Sequence, residues 1–106
     1  MSHETTLNLA AYIKALYAGD KQLVRVYMPG TLPEARDMLA TACRLLAVST
    51  CGDPSRAVVP NVDTLPEAVT HLVHVSIALA DATGGNPNYL EAVAEAIITM
   101  TEDTEP

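Results

Sequence analysis

The pentapeptide TLPEA occurs twice in this chain of 106 residues, at residues 31–35 and again at residues 64–68. In both copies a Thr precedes a Glu by three positions, which is the capping-box pattern: the Thr hydroxyl accepts a backbone N–H, and the Glu side chain reaches back to another. The Pro falls in the first turn, where its missing N–H has no partner within a helix. The repeated pentapeptide therefore predicts two helix beginnings, and the few other matches between the copies indicate no stacked repeat array.

The first of these helices is expected to be amphipathic, over residues 32–50. Its apolar residues recur at helical spacing (Ala35, Met38, Leu39, Ala42, Cys43 and Leu46), and its polar residues are expected on the opposite face (Arg36, Asp37, Thr41 and Arg44). Gly52 offers a left-handed cap, and Pro54 prevents continuation.

The second helix, Leu65–Ala82, is apolar on nearly every side, with a thin polar stripe of His71, His74 and Asp81. Such a helix is usually central in a bundle. In so short a chain, three or four amphipathic neighbouring helices are not expected to enclose it fully. We therefore expect the protein to self-associate, as a homodimer.

Two further long helices are predicted at the ends of the chain. The N-terminal one carries an apolar stripe that ends at Gly19 (Leu9, Tyr12, Ile13, Leu16 and Tyr17). The last begins after Gly84-Gly85, with Asn86 as the N-cap and Pro87 at the first helical position.

Residues 20–29 are ambiguous between a short helix capped by Asp20 and a β-strand. The helix is preferred because Leu23, Val26 and Tyr27 share a helical face, whereas a lone strand leaves its backbone groups unpaired. The sequence thus predicts an all-α compact bundle of four long helices plus one short helix or strand at 20–29. Residues 1–100 are expected to form a single domain, and residues 101–106 a disordered acidic tail.

The charge and hydropathy of the chain exclude some classes of protein. Its net charge is −7, and its six Lys and Arg are scattered, so no basic patch for a nucleic acid is expected. No apolar run approaches the ~20 residues of a membrane helix, and no signal peptide is visible. We expect a cytoplasmic protein with neither nucleic acid nor membrane as a partner.

The candidate partner-binding residues lie in the segment 52–63 and on the helix that follows it. This twelve-residue connection carries Val58, Val59 and Val62, which either cover the end of the bundle or bind a partner. His71 and His74 are three positions apart; they either line a polar seam or subunit interface, or hold a metal with a third ligand. The seam is preferred, and protonation near pH ~6.5 would then weaken an interface between subunits.

Paired carboxylates define an alternative. Glu34-Ala35-Arg36-Asp37 resembles the Glu-x-x-Asp motif with which all-α nucleotide pyrophosphohydrolases hold magnesium. Glu91 and Glu95 are also one turn apart, but their four-residue spacing departs from the Glu-x-x-Glu motif of that family. The resemblance implies a small metal-dependent hydrolase; solvated helix faces explain the same carboxylates.

The cysteines favour a structural role. Cys43 and Cys51 would be separated by ~12 Å along one helix, too far for a disulfide. Cys43 is expected in the core and Cys51 near a helix end. The function predicted from the sequence is that of a small acidic helical regulatory or accessory module that binds a protein partner and self-associates. It is expected to need no metal and no cofactor; the hydrolase is the alternative.

Overall fold

The computed structural model describes residues 3–86, 88–89 and 92–93, and within them the chain is all-α, as predicted. Four helices are described, α1 (His3–Ala18), α2 (Lys21–Tyr27), α3 (Leu32–Cys51) and α4 (Leu65–Ala82), together with a 3₁₀ turn at Pro54–Arg56. None of these described residues is in a strand. The ambiguous segment 20–29 is therefore the helix α2.

The two TLPEA copies begin α3 and α4, as predicted. The hydroxyl of Thr31 accepts the N–H of Glu34, and that of Thr64 accepts the N–H of Glu67, each at 3.3 Å. The Glu34 carboxylate reaches back to the N–H of Gly30 at 3.2 Å, one residue before the cap. Identical local sequence thus places the same threonine cap at the start of both helices.

The other predicted helix boundaries are also set by local chemistry. A side-chain oxygen of Asp20 accepts the N–H groups of Gln22 and Leu23, both at 3.2 Å, and caps α2. At the end of α3, Gly52 adopts the left-handed conformation with φ 75°, which a side chain would disfavour.

The predicted C-terminal helix is described only at its beginning. The side-chain oxygen of Asn86 accepts the N–H of Asn88 at 3.1 Å, the interaction expected of an N-cap. Residues 88–89 and 92–93 are helical. The rest of that predicted helix, with Glu91 and Glu95, lies outside the described residues, as do the predicted end of the domain and the tail 101–106.

The core is built where α1, α3 and α4 meet, and α2 adds partly buried side chains to its margin. Its buried members come from all three long helices (Leu9, Tyr12, Ile13, Met38, Ala42, Leu45, Leu72, Leu79 and Ala80). A second, smaller cluster joins α3, α4 and the segment between them (Ala35, Leu39, Cys43, Val62 and Ala68). Aliphatic and small side chains predominate, which permits close helix packing.

The helix α4 is not enclosed on all sides, so its predicted central position is wrong for the single chain. It buries one stripe against α3 and α1 (Ala68, Leu72, Ser76, Leu79 and Ala80). Ile77 points away from that stripe, and 51% of its surface is exposed. The helix α4 therefore carries more apolar side chains than its neighbouring helices cover.

Two individual placements also differ from the helical patterns. Thr41, expected on the polar face of α3, is buried, and its hydroxyl donates to the carbonyl oxygen of Asp37 at 2.8 Å. A threonine that satisfies its hydroxyl within its own helix can face a core. Tyr17, expected in the apolar stripe of α1, has 58% of its surface exposed.

Candidate functional site

The segment between α3 and α4 is fixed at its first end by Asp53. One carboxylate oxygen of Asp53 accepts both the N–H of Ser55 at 3.0 Å and its hydroxyl at 2.7 Å, which caps the 3₁₀ turn. These hydrogen bonds from Ser55 hold the pKa of Asp53 below its usual value. Arg56 Nε lies 3.9 Å from the other carboxylate oxygen. Because all these groups are exposed, their interactions define the conformation of the turn but add little to the free energy of unfolding.

The second end of the segment is fixed by Val62 and Arg36. The Val62 side chain is buried in the smaller core cluster. Its carbonyl oxygen accepts two hydrogen bonds from the Arg36 guanidinium on α3, from Nε at 3.0 Å and from a terminal nitrogen at 2.6 Å. A charged group that donates two hydrogen bonds binds its acceptor more strongly than a neutral donor does. The contact therefore fixes the orientation of the backbone at Val62.

Between these anchors, Val58 and Val59 are presented to solvent. Val58 has 84% of its surface exposed and Val59 has 45%. Val59 lines a shallow cleft of about 340 Å³ together with Arg36, Ala40 and Asn61. Of the three predicted partner-binding valines, Val62 thus covers the core, and Val58 and Val59 are available to a partner.

The two predicted histidines lie on α4, His71 half-buried and His74 exposed. His74 is one turn from the exposed Ile77, so these two side chains belong to the outer face of the helix. Among the described residues, no group of three or more His, Cys, Asp and Glu side chains is arranged to hold a metal ion. The interface role of the two histidines stays a prediction.

The paired carboxylates of α3 line a cleft of about 440 Å³ that α2 borders on its other side. Both already have partners in the fold: Glu34 accepts the N–H of Gly30, and Asp37 accepts the hydroxyl of Thr5 at 2.8 Å. Glu34 thus takes part in the cap of α3, and Asp37 in a contact between α1 and α3. Glu91 and Glu95 lie outside the described residues.

A second cleft, of about 480 Å³, separates α1 from α2 and was not predicted. Its surface is largely apolar, with three alanines of α1, two tyrosines and a leucine (Ala11, Ala15, Ala18, Tyr17, Tyr27 and Leu23). Lys14 and Asp20 also line it. The sequence carries no charge signal for it, because its two charged lining residues, Lys14 and Asp20, have opposite signs.

The two thiols are free and differ in accessibility. Cys43 is buried in the smaller core cluster, and burial raises the pKa of its thiol. Cys51 is exposed at the end of α3, where its sulfur donates to the carbonyl oxygen of Ala47 at 3.0 Å. The predicted locations of both cysteines are confirmed.

No protein-family model matches this chain, and neither the curated proteins nor the solved structures contain a match to it. Within the described residues, no helix combines the length and the apolar character needed to cross a membrane.

Proposed function

We propose that the protein is a small regulatory or accessory module that binds a protein partner through Val58 and Val59. The observation that carries the proposal is that these exposed valines lie on a segment fixed at both ends, by Asp53 and by the Arg36–Val62 contact. Ordering a mobile loop on binding costs free energy for each side chain immobilised. A segment already held in place avoids much of that cost, so two valines on it make an effective contact.

The size of the contact sets the expected affinity. Fully burying a valine side chain contributes ~1.5 kcal/mol or more. Val58 and Val59 together therefore supply a few kcal/mol, which is enough for the apolar centre of a transient interface but not for a permanent one. This strength suits a regulatory or accessory contact.

Recovery of partners from a lysate of the native host tests the valine contact. The protein is immobilised as wild type, Val58→Asp and Val59→Asp, with Asn61→Asp as the matched control. Asn61 is exposed in the same segment, so its substitution adds one negative charge without removing an apolar side chain. We expect a specific partner with wild type and Asn61→Asp and its loss with both valine variants; equal recovery from all four would remove the segment from the proposal.

We further propose that the protein self-associates through the outer face of α4. The support is the exposed Ile77 in the C-terminal half of this largely apolar helix. Pairing two such faces would cover the side of α4 that its own chain leaves open. His74 lies on the same face, so this pairing would also cover it.

Sedimentation velocity over a wide concentration range tests the dimer. Wild type should sediment faster as concentration rises, and Ile77→Asp should remain monomeric. Leu7→Asp is the control, since Leu7 is a comparably exposed apolar residue on α1. A wild-type monomer at every concentration would contradict self-association.

The hydrolase alternative retains one supporting observation, that Glu34 and Asp37 line the same cleft. Thermal melting with and without magnesium or zinc discriminates it from the binding proposal. A metal at ~100 times its dissociation constant adds ~2.7 kcal/mol of stability. An unchanged melting temperature would argue against a metal enzyme.

A further inference from the structure

We infer that Tyr17 is a conformational latch, which holds the turn after α4 against α1 and thereby fixes the direction in which the chain leaves α4. The turn comprises residues 84–86, and the contact that forms the latch is between Tyr17 and Gly85. The latch involves neither the loop valines nor Ile77, so this inference goes beyond the proposed function.

The contact between Tyr17 and Gly85 leaves no room for a side chain on the turn while the ring stays in place. A Cβ atom at Gly85 would lie 2.5 Å from the phenolic oxygen of Tyr17 and 3.0 Å from Cζ of its ring. Non-bonded carbon atoms are normally about 3.5–4.0 Å apart, so such a Cβ would displace the ring. The tip of the Tyr17 side chain therefore packs directly on the backbone of the turn.

Hydrogen bonds tie the same turn to the end of α4. The N–H of Gly85 donates to the carbonyl oxygen of Ala80 at 2.7 Å, and the N–H of Gly84 donates to that of Asp81 at 3.1 Å. Gly84 and Gly85 both adopt the left-handed conformation, with φ 70° and 73°, which glycine accepts without steric cost. The end of α4 thus sets the local shape of the turn, and Tyr17 connects the turn to α1.

The placement of the turn determines where the next helix begins. Asn86 caps that helix, and Val93, about two turns further on, is half-buried and packs against the larger core cluster. A turn that moved away from α1 would carry the start of this helix, and Val93 with it, away from the core. The latch therefore controls whether the chain after α4 docks.

The Tyr17 side chain can release the turn without disturbing the core. It lies in the last turn of α1 and has 58% of its surface exposed, so little burial is lost when it rotates away. Exposed side chains change rotamer within nanoseconds. Opening of the latch is therefore separate from unfolding of α1, α3 and α4.

The two glycines of the turn provide a matched test. Alanine at either position meets the same unfavourable φ, but a Cβ at Gly84 would have nothing within 4 Å, whereas one at Gly85 would meet Tyr17. We expect Gly84→Ala to lower the melting temperature by about 4–8 °C and Gly85→Ala by roughly twice as much. In a Tyr17→Ala background the two substitutions should have equal effects, because the ring that distinguishes them is gone.

Hydrogen exchange followed by mass spectrometry shows whether the latch acts locally. Tyr17→Ala should speed exchange of the backbone amides in residues 86–93 by about tenfold and leave those of α3 unchanged. Tyr17→Phe keeps the ring and should exchange as wild type does. Leu7→Ala truncates another exposed side chain of α1 and is the control, which should leave residues 86–93 unchanged.

Several results would overturn the inference. Equal losses for Gly84→Ala and Gly85→Ala in the wild-type background would show that Tyr17 does not constrain the turn, and a difference that persists in Tyr17→Ala would assign it to another cause. Faster exchange throughout Tyr17→Ala, or unchanged exchange in residues 86–93, would also contradict a latch. The exchange variants introduce no strained backbone, so they decide the question even if Gly85→Ala does not fold.

Discussion

Two guanidinium nitrogens of Arg36 donate hydrogen bonds to the backbone carbonyl oxygen of Val62, at 3.0 and 2.6 Å, although the two residues are 26 positions apart in sequence. This contact joins the first turns of α3 to the segment that leads into α4. It also fixes the end of the loop that presents Val58 and Val59. The geometry of the candidate partner surface thus depends on one side chain outside it.

Replacement of Arg36 should loosen this anchor. We expect Arg36→Gln to lower the free energy of unfolding by about 1–2 kcal/mol, because a hydrogen-bonded charged donor is lost from a partly buried carbonyl. Urea denaturation measures the change. Arg25→Gln removes an exposed arginine of α2 as a control, and an equal loss there would show that the Val62 contact is not what matters.

The two threonine caps should be equivalent. Thr31→Ala and Thr64→Ala should each lower the free energy of unfolding by about 1 kcal/mol, since each leaves one N–H of the first turn without its acceptor. Thr70→Ala is the control, because Thr70 lies inside α4, is exposed and donates only to a carbonyl of its own helix, that of Pro66. It should be near neutral; a comparable loss there would contradict a capping role.

The two sides of α4 should respond differently to truncation. Leu72→Ala should lower the free energy of unfolding by about 2–5 kcal/mol, because a fully buried side chain is replaced by a cavity. Ile77→Ala should change it by about 0.5 kcal/mol or less at protein concentrations where the chain is monomeric. Chemical denaturation measures both, and a large effect at Ile77 would mean that other residues cover it.

The buried thiol should make stability fall at alkaline pH. Burial raises the pKa of Cys43 in the folded state, whereas in the unfolded chain its thiol ionises near the ordinary value of ~8.5. Above pH ~8.5 the thiol ionises in the unfolded chain but stays protonated in the folded one, which favours unfolding. The stabilising contribution of Cys43 is therefore complete below pH ~8.5 and is lost as the pH rises through the raised pKa of the folded state. Urea denaturation from pH 7 upward should show this decline.

Cysteine variants separate the two thiols. Cys43→Ala should flatten the alkaline decline, while Cys51→Ala should leave it unchanged because Cys51 is exposed. With a soluble thiol reagent at neutral pH, Cys51 should react first and Cys43 only after unfolding. Similar rates for the two would place Cys43 outside the core.

The helix boundaries could be predicted from sequence because their causes are local. Thr31, Thr64, Asp20 and Gly52 each act on backbone groups within four residues, and the structure confirms all of them. The all-α class followed from those boundaries together with the apolar spacing between them. Neither inference required knowledge of which helices touch.

The surfaces could not be predicted in the same way because they depend on distant partners. Nothing near Val62 in the sequence distinguishes it from Val58, yet Val62 is buried, with its carbonyl held by Arg36, and Val58 is exposed. The exposure of Ile77 likewise depends on how much of α4 its neighbours cover. The α1–α2 cleft also forms only when two helices pack.

None of the seven residues of α2 is buried. Because α2 places only partly buried side chains, Val24 and Tyr27, against the core, it can detach while the three longer helices stay folded, so its amide protons should exchange with deuterium earlier than those of α3. Lys21 and Arg25 would then be the first sites open to trypsin.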